Sequence, residues 1–342
     1  MTKLKAALIG LGGMGRGHFD NYIKMMEANL PVELVAVCDI DPEKFKNIKV
    51  DFNIDGVVAD SQDMSSFRKY TDADEMLAAE KPDLVSIAIP TYLHAPMSIK
   101  CMRAGAHVFC EKPMSLSPEA CREMIDTANE CAKYLMIGQC LRFWGEYEAA
   151  KELIDSGKLG APISGYFWRG GGSPANDPSN WYLNREMSGG ALFDQHVHDV
   201  DIIQYFYGMP KAVSSVGRAV FPNSGQDSVS TNYIYEGDFA INAQDDWTLK
   251  GHGFTMTFRI NFEGGSLYMD HNGFKAVDAS GANITPDYDK ASAYYKEIVY
   301  LTDLILTGKP NTKNPPEESM KAIILAAAEQ KSADAHGMLV RL

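Results

Sequence analysis

Residues able to move protons gather in one stretch of this 342-residue chain, Ser188-Gly-Gly-Ala-Leu-Phe-Asp194-Gln-His196-Val-His198-Asp199-Val-Asp201. If Gly190 to Tyr207 forms one helix, Asp194 and His198 stand at i and i+4 on one face, with Asp201 three residues further on. A carboxylate one turn from an imidazole orients it and stabilises its protonated form, as a general base requires. The same pair also reads as an ion pair bracing a helix, or, with His196, as part of a metal site. Two further stretches hold reactive side chains. Glu111-Lys112-Pro113 presents an ammonium from a proline turn, either as a rigid hydrogen-bond donor or as a solvated turn. Pro90-Thr91-Tyr-Leu-His94 carries an imidazole that serves either as a cap or as a cofactor contact. The loop from Arg169 to Arg185, with Asn176, Asp177, Asn180, Trp181 and Tyr182, offers the hydrogen bonds and flat apolar faces that a polyhydroxylated ligand needs.

These groups can act only where folded elements hold them. Leu4 to Ile9 is a short apolar run that predicts a buried strand. Gly10, Gly12 and Gly15 follow as G-x-G-x-x-G. His18 to Glu27 then predicts a helix, with Phe19, Tyr22, Ile23 and Met26 on one face. Strand, glycine turn and helix in this order receive a dinucleotide pyrophosphate, with Gly10, Gly12, Gly13, Met14 and Gly15 as its expected contacts. Glu33 to Cys38 predicts a second strand, and Asp39 follows it 24 residues after Gly15, where a carboxylate binds the ribose 2′-OH. It repels a 2′-phosphate, and no Arg or Lys lies beside it before Lys44, so NAD is expected over NADP.

Further strands at 84–89, 107–110 and 135–138 alternate with helices at about 72–79, 96–104 and 118–132. Pro42 to Lys49 reads as a short helix and 51–66 as a surface excursion. This alternation predicts a doubly wound parallel sheet over 1–138, with Pro90, Thr91, His94, Glu111 and Lys112 at its carboxyl edge. After Gln139 the texture changes. A helix at 147–156 precedes aromatic β-rich segments at 163–169, 212–221, 230–243, 254–262 and 266–270, with a hairpin signal at Glu263-Gly-Gly265. Residues 139–342 therefore predict an α/β domain with a large, mostly antiparallel, open-faced sheet, finished by helices at about 291–307 and 317–336.

Composition sets limits. A net charge of −13 argues against nucleic acid and anionic membranes as partners, and no apolar run is long enough to span a bilayer. The N-terminus runs into a strand with no signal-peptide pattern. Six cysteines, none in C-x-x-C, sit in predicted strands and helices, as expected for a reduced cytoplasmic protein.

Taken together, the motifs resemble the Gfo/Idh/MocA family of glucose–fructose oxidoreductase, inositol 2-dehydrogenase and rhizopine-catabolism proteins. The resemblance rests on the glycine motif, the acid after the second strand, and Pro90…His94. It also rests on Ala104-Gly-Ala-His-Val-Phe-Cys-Glu-Lys-Pro113, Leu141-Arg-Phe143, Ile154…Gly160 and Ser188-Gly-Gly-Ala-Leu-Phe-Asp194…His198…Asp201. It implies a Rossmann domain, an open-faced domain that makes dimers or tetramers, and hydride transfer between NAD(P) and a secondary alcohol or hemiacetal carbon of a sugar or cyclitol. Carried onto this chain, Lys112 would bind the reacting oxygen, His198 would be the acid/base and Asp194 its neighbour and a substrate ligand. Arg169, Trp181 and Tyr182 would join them in shaping the substrate pocket, and no metal is expected. Position 196, commonly small in the family, is His196 here. The rival readings are a non-catalytic dinucleotide- or sugar-binding regulator and a metal-dependent hydrolase or lyase.

Overall fold

The computed structural model describes residues 3–46, 63–175 and 180–342. The chain divides into two compact units, one formed by 1–140 with 292–319 and the other by 141–291 with 320–342. A single boundary near 138 therefore misses that the chain returns to its first unit late.

In the first unit, β1 (Leu4–Ile9) leads into α1 (Gly13–Glu27), then β2 (Val32–Cys38), β3 (Arg68–Tyr70), α2 (Ala73–Glu80), β4 (Leu84–Ile87), α3 (His94–Arg103), β5 (His107–Glu111), α4 (Pro118–Glu130) and β6 (Leu135–Gly138). The strands form one parallel sheet in the order β3-β2-β1-β4-β5-β6. This is the doubly wound arrangement expected, with its reversal of strand order between β1 and β4. The reason is visible in the burial: β4 and β6 are buried along their whole length, as strands covered by helices on both faces must be. Asp72 caps α2 by accepting from the amides of Asp74 and Glu75, and Ser117 caps α4 by accepting from Ala120. Such caps contribute about 1 kcal/mol each. Two boundaries differ from expectation. Helix α1 begins at Gly13, inside the glycine motif, because the motif's close packing already imposes helical geometry. The short strand β3 lacks apolar alternation and was not legible. Of the helix expected at 42–49, the described part is a 3-10 turn at Pro42–Phe45; residues 47–62, including most of the expected excursion, lie outside the described residues.

The second unit begins with α5 (Gly145–Asp155) and β7 (Pro162–Gly170). Three short helices follow, α6 (Arg185–Ser188), α7 (Gly190–Asp194) and α8 (Val197–Tyr207). Six strands come next: β8 (Ala212–Arg218), β9 (Ser228–Ile234), β10 (Ala240–Asp246), β11 (Thr255–Phe262), β12 (Gly265–Asp270) and β13 (Gly273–Asp278). Helix α9 (Ala293–Thr307) belongs to the first unit. Helix α10 (Pro316–Asp334) and β14 (Val340–Arg341) close the chain. The eight-stranded sheet runs β13-β12-β11-β7-β10-β9-β8-β14. All neighbours are antiparallel except β7 and β10, which the helical connection between β7 and β8 allows to run parallel. Glu263 and Gly264 make the predicted hairpin turn between β11 and β12. The single segment expected at 230–243 is two strands, β9 and β10, because the polar Glu236-Gly-Asp238 turn interrupts it. Strands β13 and β14 are short and were not expected.

Phe167, Phe258, Ile260 and Ala243 point into the second unit's core, while Tyr166, Trp168, Thr257, Asn242 and Gln244 alternate onto a half-exposed opposite face. Helix α9 packs on α1, β5 and β6, and the amide of Asn314 donates to the Ile137 carbonyl at 2.7 Å, which is what binds 292–319 to the first unit. Among the described residues no helix is long and apolar enough to cross a membrane.

Candidate functional site

All strands of the first sheet are parallel, so the loops after β1, β2, β4 and β5 share one edge, and every residue expected to hold a cofactor lies on them or on the strand end or first helical turn beside them. The glycine loop is shaped by contact. A side chain at Gly15 would put its Cβ 1.9 Å from the Gly10 carbonyl oxygen, and one at Gly10, whose φ is +93°, would reach the Ala88 carbonyl at 2.2 Å. These two glycines bring helix and strand together. A Cβ at Gly12 would meet nothing within 4 Å, so this position is an open cradle at the N-terminus of α1, where no side chain caps the first turn. Gly13 and Met14 form that first turn, and their backbone N–H groups suit a pyrophosphate there.

Asp39 lies at the end of β2. Its Oδ2 accepts from the Leu11 amide at 2.7 Å and its Oδ1 from the Asp41 amide at 2.9 Å. The acid is thus tied to the glycine loop, and each oxygen keeps a lone pair for a ribose hydroxyl. Beside it, Ile40 is 88% exposed, an apolar side chain laid bare at the same edge. Sequence reasoning passed over Ile40; its signal was an apolar residue continuing past the acid that ends the strand. These residues fit a dinucleotide.

The Glu111–Pro113 turn is built from beneath. Glu111 is buried at the end of β5 and accepts from His18 Nε2 at 2.8 Å and from the Lys112 amide at 3.2 Å. His18 belongs to α1, so one carboxylate joins the glycine helix to the lysine turn. The Lys112–Pro113 peptide is cis and Lys112 is half-buried. His94 is buried, with Nδ1 2.7 Å from the Pro113 carbonyl and Nε2 2.9 Å from the Ile89 carbonyl. Both ring nitrogens are engaged with backbone, so His94 fastens the β4 loop, with Pro90 and Thr91, to the lysine turn. Burial lowers the affinity of its ring for a proton, against the pull of the two carbonyls. Glu297 of α9 is fully buried near Glu111, and burial, then that neighbouring carboxylate, push it well above the usual carboxylate range.

The second unit corrects the expected helix. Gly190 to Tyr207 is not continuous: α7 ends at Asp194 and α8 starts at Val197. The His196 amide donates to the Ala191 carbonyl at 2.9 Å, five residues back, and the His198 amide donates to the Gln195 carbonyl at 3.4 Å. Asp194 thus ends one short helix and His198 lies in the first turn of the next, while Gln195 and His196 between them keep right-handed helical dihedrals. Both are half-buried. Asp201, expected within reach of the same face, binds Arg142 bidentately, both N–O distances being 2.8 Å, with both side chains buried. Arg169, expected at the pocket, is buried and gives Nε and Nη2 to Asp199 at 3.2 and 3.1 Å. Its guanidinium holds the sheet to α8, which differs from the ligand role expected of it. Burial weakens its charge, but Asp199 outweighs this and holds the guanidinium firmly protonated. Trp181 and Tyr182 stack at 3.9 Å between ring centroids and are half-buried. Asn180 begins their 3-10 turn by accepting from the Tyr182 amide at 3.1 Å; Asn176 and Asp177 lie outside the described residues. His196 faces Glu329, not a metal-ligand set, and among the described residues no three His, Cys, Asp or Glu side chains gather as a metal site.

The first unit defines a Rossmann-type dinucleotide-binding protein, and the second attaches a mixed open sheet to it. Residues 4–139 match the Gfo/Idh/MocA oxidoreductase family, NAD-binding Rossmann fold, and residues 147–268 match the Gfo/Idh/MocA C-terminal domain. The chain belongs to this family, and its first unit is the NAD-binding domain. It is 31% identical over 306 residues to D-glucoside 3-dehydrogenase of Escherichia coli, covering 85% of this chain and 77% of that protein. It is 31% identical over 214 residues to 2,7-anhydro-N-acetylneuraminate hydratase of Mediterraneibacter gnavus, covering 62% of this chain but 53% of the relative, so the chain spans about half of that protein's length. Levoglucosan dehydrogenase, solved in complex with NADH and L-sorbose, shares the fold with a TM-score of 0.84 at 20% identity, over 100% of this chain and 99% of that one.

Proposed function

We propose that this protein is an NAD-dependent oxidoreductase acting on a secondary hydroxyl or hemiacetal carbon of a sugar, cyclitol or glycoside. What carries the reading is the grouping of the glycine cradle, Asp39 and the braced Lys112 turn on one sheet edge of a chain in this family. NAD bound there supplies the hydride acceptor. Gly10, Gly12, Gly13, Met14 and Gly15 hold its phosphates, Asp39 its ribose, Ile40 the flat face of its base, and the Pro90–Thr91 and Glu111–Lys112 loops line the nicotinamide side. Lys112, as an ammonium on a braced turn, stabilises the negative charge that develops on the substrate oxygen. His198 takes the hydroxyl proton, and Asp194 binds a neighbouring substrate hydroxyl. The stacked Trp181 and Tyr182 rings offer a flat apolar wall against which the C–H face of a sugar ring packs. D-glucoside 3-dehydrogenase among the relatives supports the substrate class.

The protein works, on this reading, as a cytoplasmic homodimer or homotetramer; none of its six cysteines is in a disulfide. The test is a panel of sugars, cyclitols and glycosides with NAD and with NADP, followed by the near-ultraviolet absorbance of reduced nicotinamide. NADH formation with at least one member is the expected outcome. Tight NAD binding with no turnover across the panel would instead favour a regulator. The hydratase among the relatives marks a second reading, net addition of water, which is redox-neutral and would convert a substrate without accumulating NADH.

A further inference from the structure

His196 forms the turn between α7 and α8. Its N–H closes α7 on the Ala191 carbonyl at 2.9 Å, and its carbonyl opens α8 by accepting from Asp199 and Val200 at 2.9 and 3.0 Å. Its side chain is fully buried, with Nε2 3.0 Å from Glu329 Oε2, itself fully buried on α10. The Thr231 hydroxyl donates to the same Glu329 oxygen at 3.1 Å, and the Tyr233 hydroxyl stands 3.4 Å from His196 Nε2. A third buried acid, Asp245 of β10, pairs across the sheet with Arg169 of β7, and it interacts electrostatically with His196, Asp199 and Gln195. Asp199 is matched by Arg169, and Glu329 by His196. Asp245 shares Arg169 and His196 with these two acids, and a buried charge left under-compensated is costly.

We propose that His196 is a positioning residue for His198: as an imidazolium clamped on Glu329 it sets the turn from which His198 leaves, and the third buried acid, Asp245, is placed to compete with Glu329 for it. Burial pushes Asp245 up to about 8, against the pull of His196 and with the repulsion of Asp199. Burial alone would lower His196, but Glu329 outweighs it and the net shift is upward. Below this range the cluster holds two matched pairs and a neutral acid. Above it, a new carboxylate competes with Glu329 for the imidazolium and repels Asp199. The turn then loses its single arrangement, and a displacement of about 1 Å at a reacting group costs up to ~10²-fold in rate.

The kinetic part of this inference rests on His198 as the base, so the test has one arm that does not. In protein carrying ¹³C-histidine, the ring signal of His196, assigned by its loss in His196→Asn, should report an imidazolium at neutral pH in wild type and a neutral ring in Glu329→Gln. In the kinetic arm, Glu329→Gln should lower kcat by about 10–100-fold with the Kd for NAD unchanged. Wild type should show a fall in kcat near pH 8, and Asp245→Asn should fold and abolish it. A neutral His196 ring in wild type overturns the clamp. An alkaline fall that persists in Asp245→Asn overturns the role of Asp245. If no substrate is turned over at all, the reaction assignment fails and the ring signal alone decides the clamp. If Asp245→Asn does not fold, the wild-type ring signal decides: a His196 signal unchanged through pH 8 overturns the role of Asp245.

Discussion

Asp39 gives both carboxylate oxygens to backbone amides and still faces outward at the end of β2. This preorganises it for a ribose diol, and a carboxylate there would repel a 2′-phosphate. Wild type is expected to bind NAD more tightly than NADP, and Asp39→Ala to weaken NAD about 10-fold or more while narrowing the gap, since a charge-assisted hydrogen bond contributes about 1.5–3 kcal/mol. Fluorescence titration of both cofactors checks this; tighter NADP binding by wild type would sink the assignment. At the reacting groups, His198→Ala should lower kcat by about 10²–10⁴-fold with NAD affinity nearly unchanged. Lys112→Ala should lose at least as much, and the double variant less than the two losses combined, because both act on one step. Single-turnover hydride transfer measures this directly, and a near-wild-type rate in His198→Ala removes it as the base.

At the scale of elements, strand β5 ends in Glu111 and helix α9 lays Glu297 near it, so one unit carries two buried carboxyls close together. Because Glu297 sits above its unfolded value, it binds a proton in the folded state that the unfolded chain has released. Its contribution is fully present below the unfolded carboxylate range, near pH 4.5. It declines as pH rises toward its folded value, by about 1.4 kcal/mol per pH unit for one proton. His107 acts in the opposite sense: burial holds it down to about 4, so its contribution is present above the unfolded histidine range and lost as pH falls through its folded value. Glu297→Gln should therefore flatten the fall in thermal midpoint between about pH 5 and 8 without shifting the acid side. Differential scanning fluorimetry across that range tests it, and an unchanged slope in the variant would show that Glu297 is ionised in the fold.

For the whole molecule, the second unit's sheet buries one face and leaves Tyr166, Trp168, Thr257 and Gln244 half-exposed on the other, with the Arg259 guanidinium 5.1 Å from the Tyr166 ring centroid. A broad face that mixes aromatic and polar side chains suits a symmetric partner better than water. The protein is expected to be a dimer or tetramer at micromolar concentration, and Tyr166→Glu paired with Trp168→Glu to shift it toward monomer. Light scattering on both proteins measures this; a monomeric wild type would refute the assembly.

Local chemistry made much of this legible without a structure. The glycine motif, the acid after β2 and the strand–helix alternation depend on near neighbours, and the parallel sheet follows because its central strands are largely apolar and its crossovers have one hand. The hairpin at Glu263–Gly264 and the capping by Asp72 and Ser117 are local in the same way. What only tertiary structure decided involves partners far apart in the chain. Asp201 goes to Arg142, 59 residues away, and Asp199 to Arg169, 30 away. Periodicity supplies an i, i+4 neighbour and cannot reveal that a buried cation elsewhere outcompetes it. The break at His196 has the same origin: nothing near it forbids a continuous helix, and its burial against Glu329 from α10 accompanies a turn there. The late return of 292–319 to the first unit was hidden too, because an amphipathic helix such as α9 shows that it needs a surface to cover but not which one.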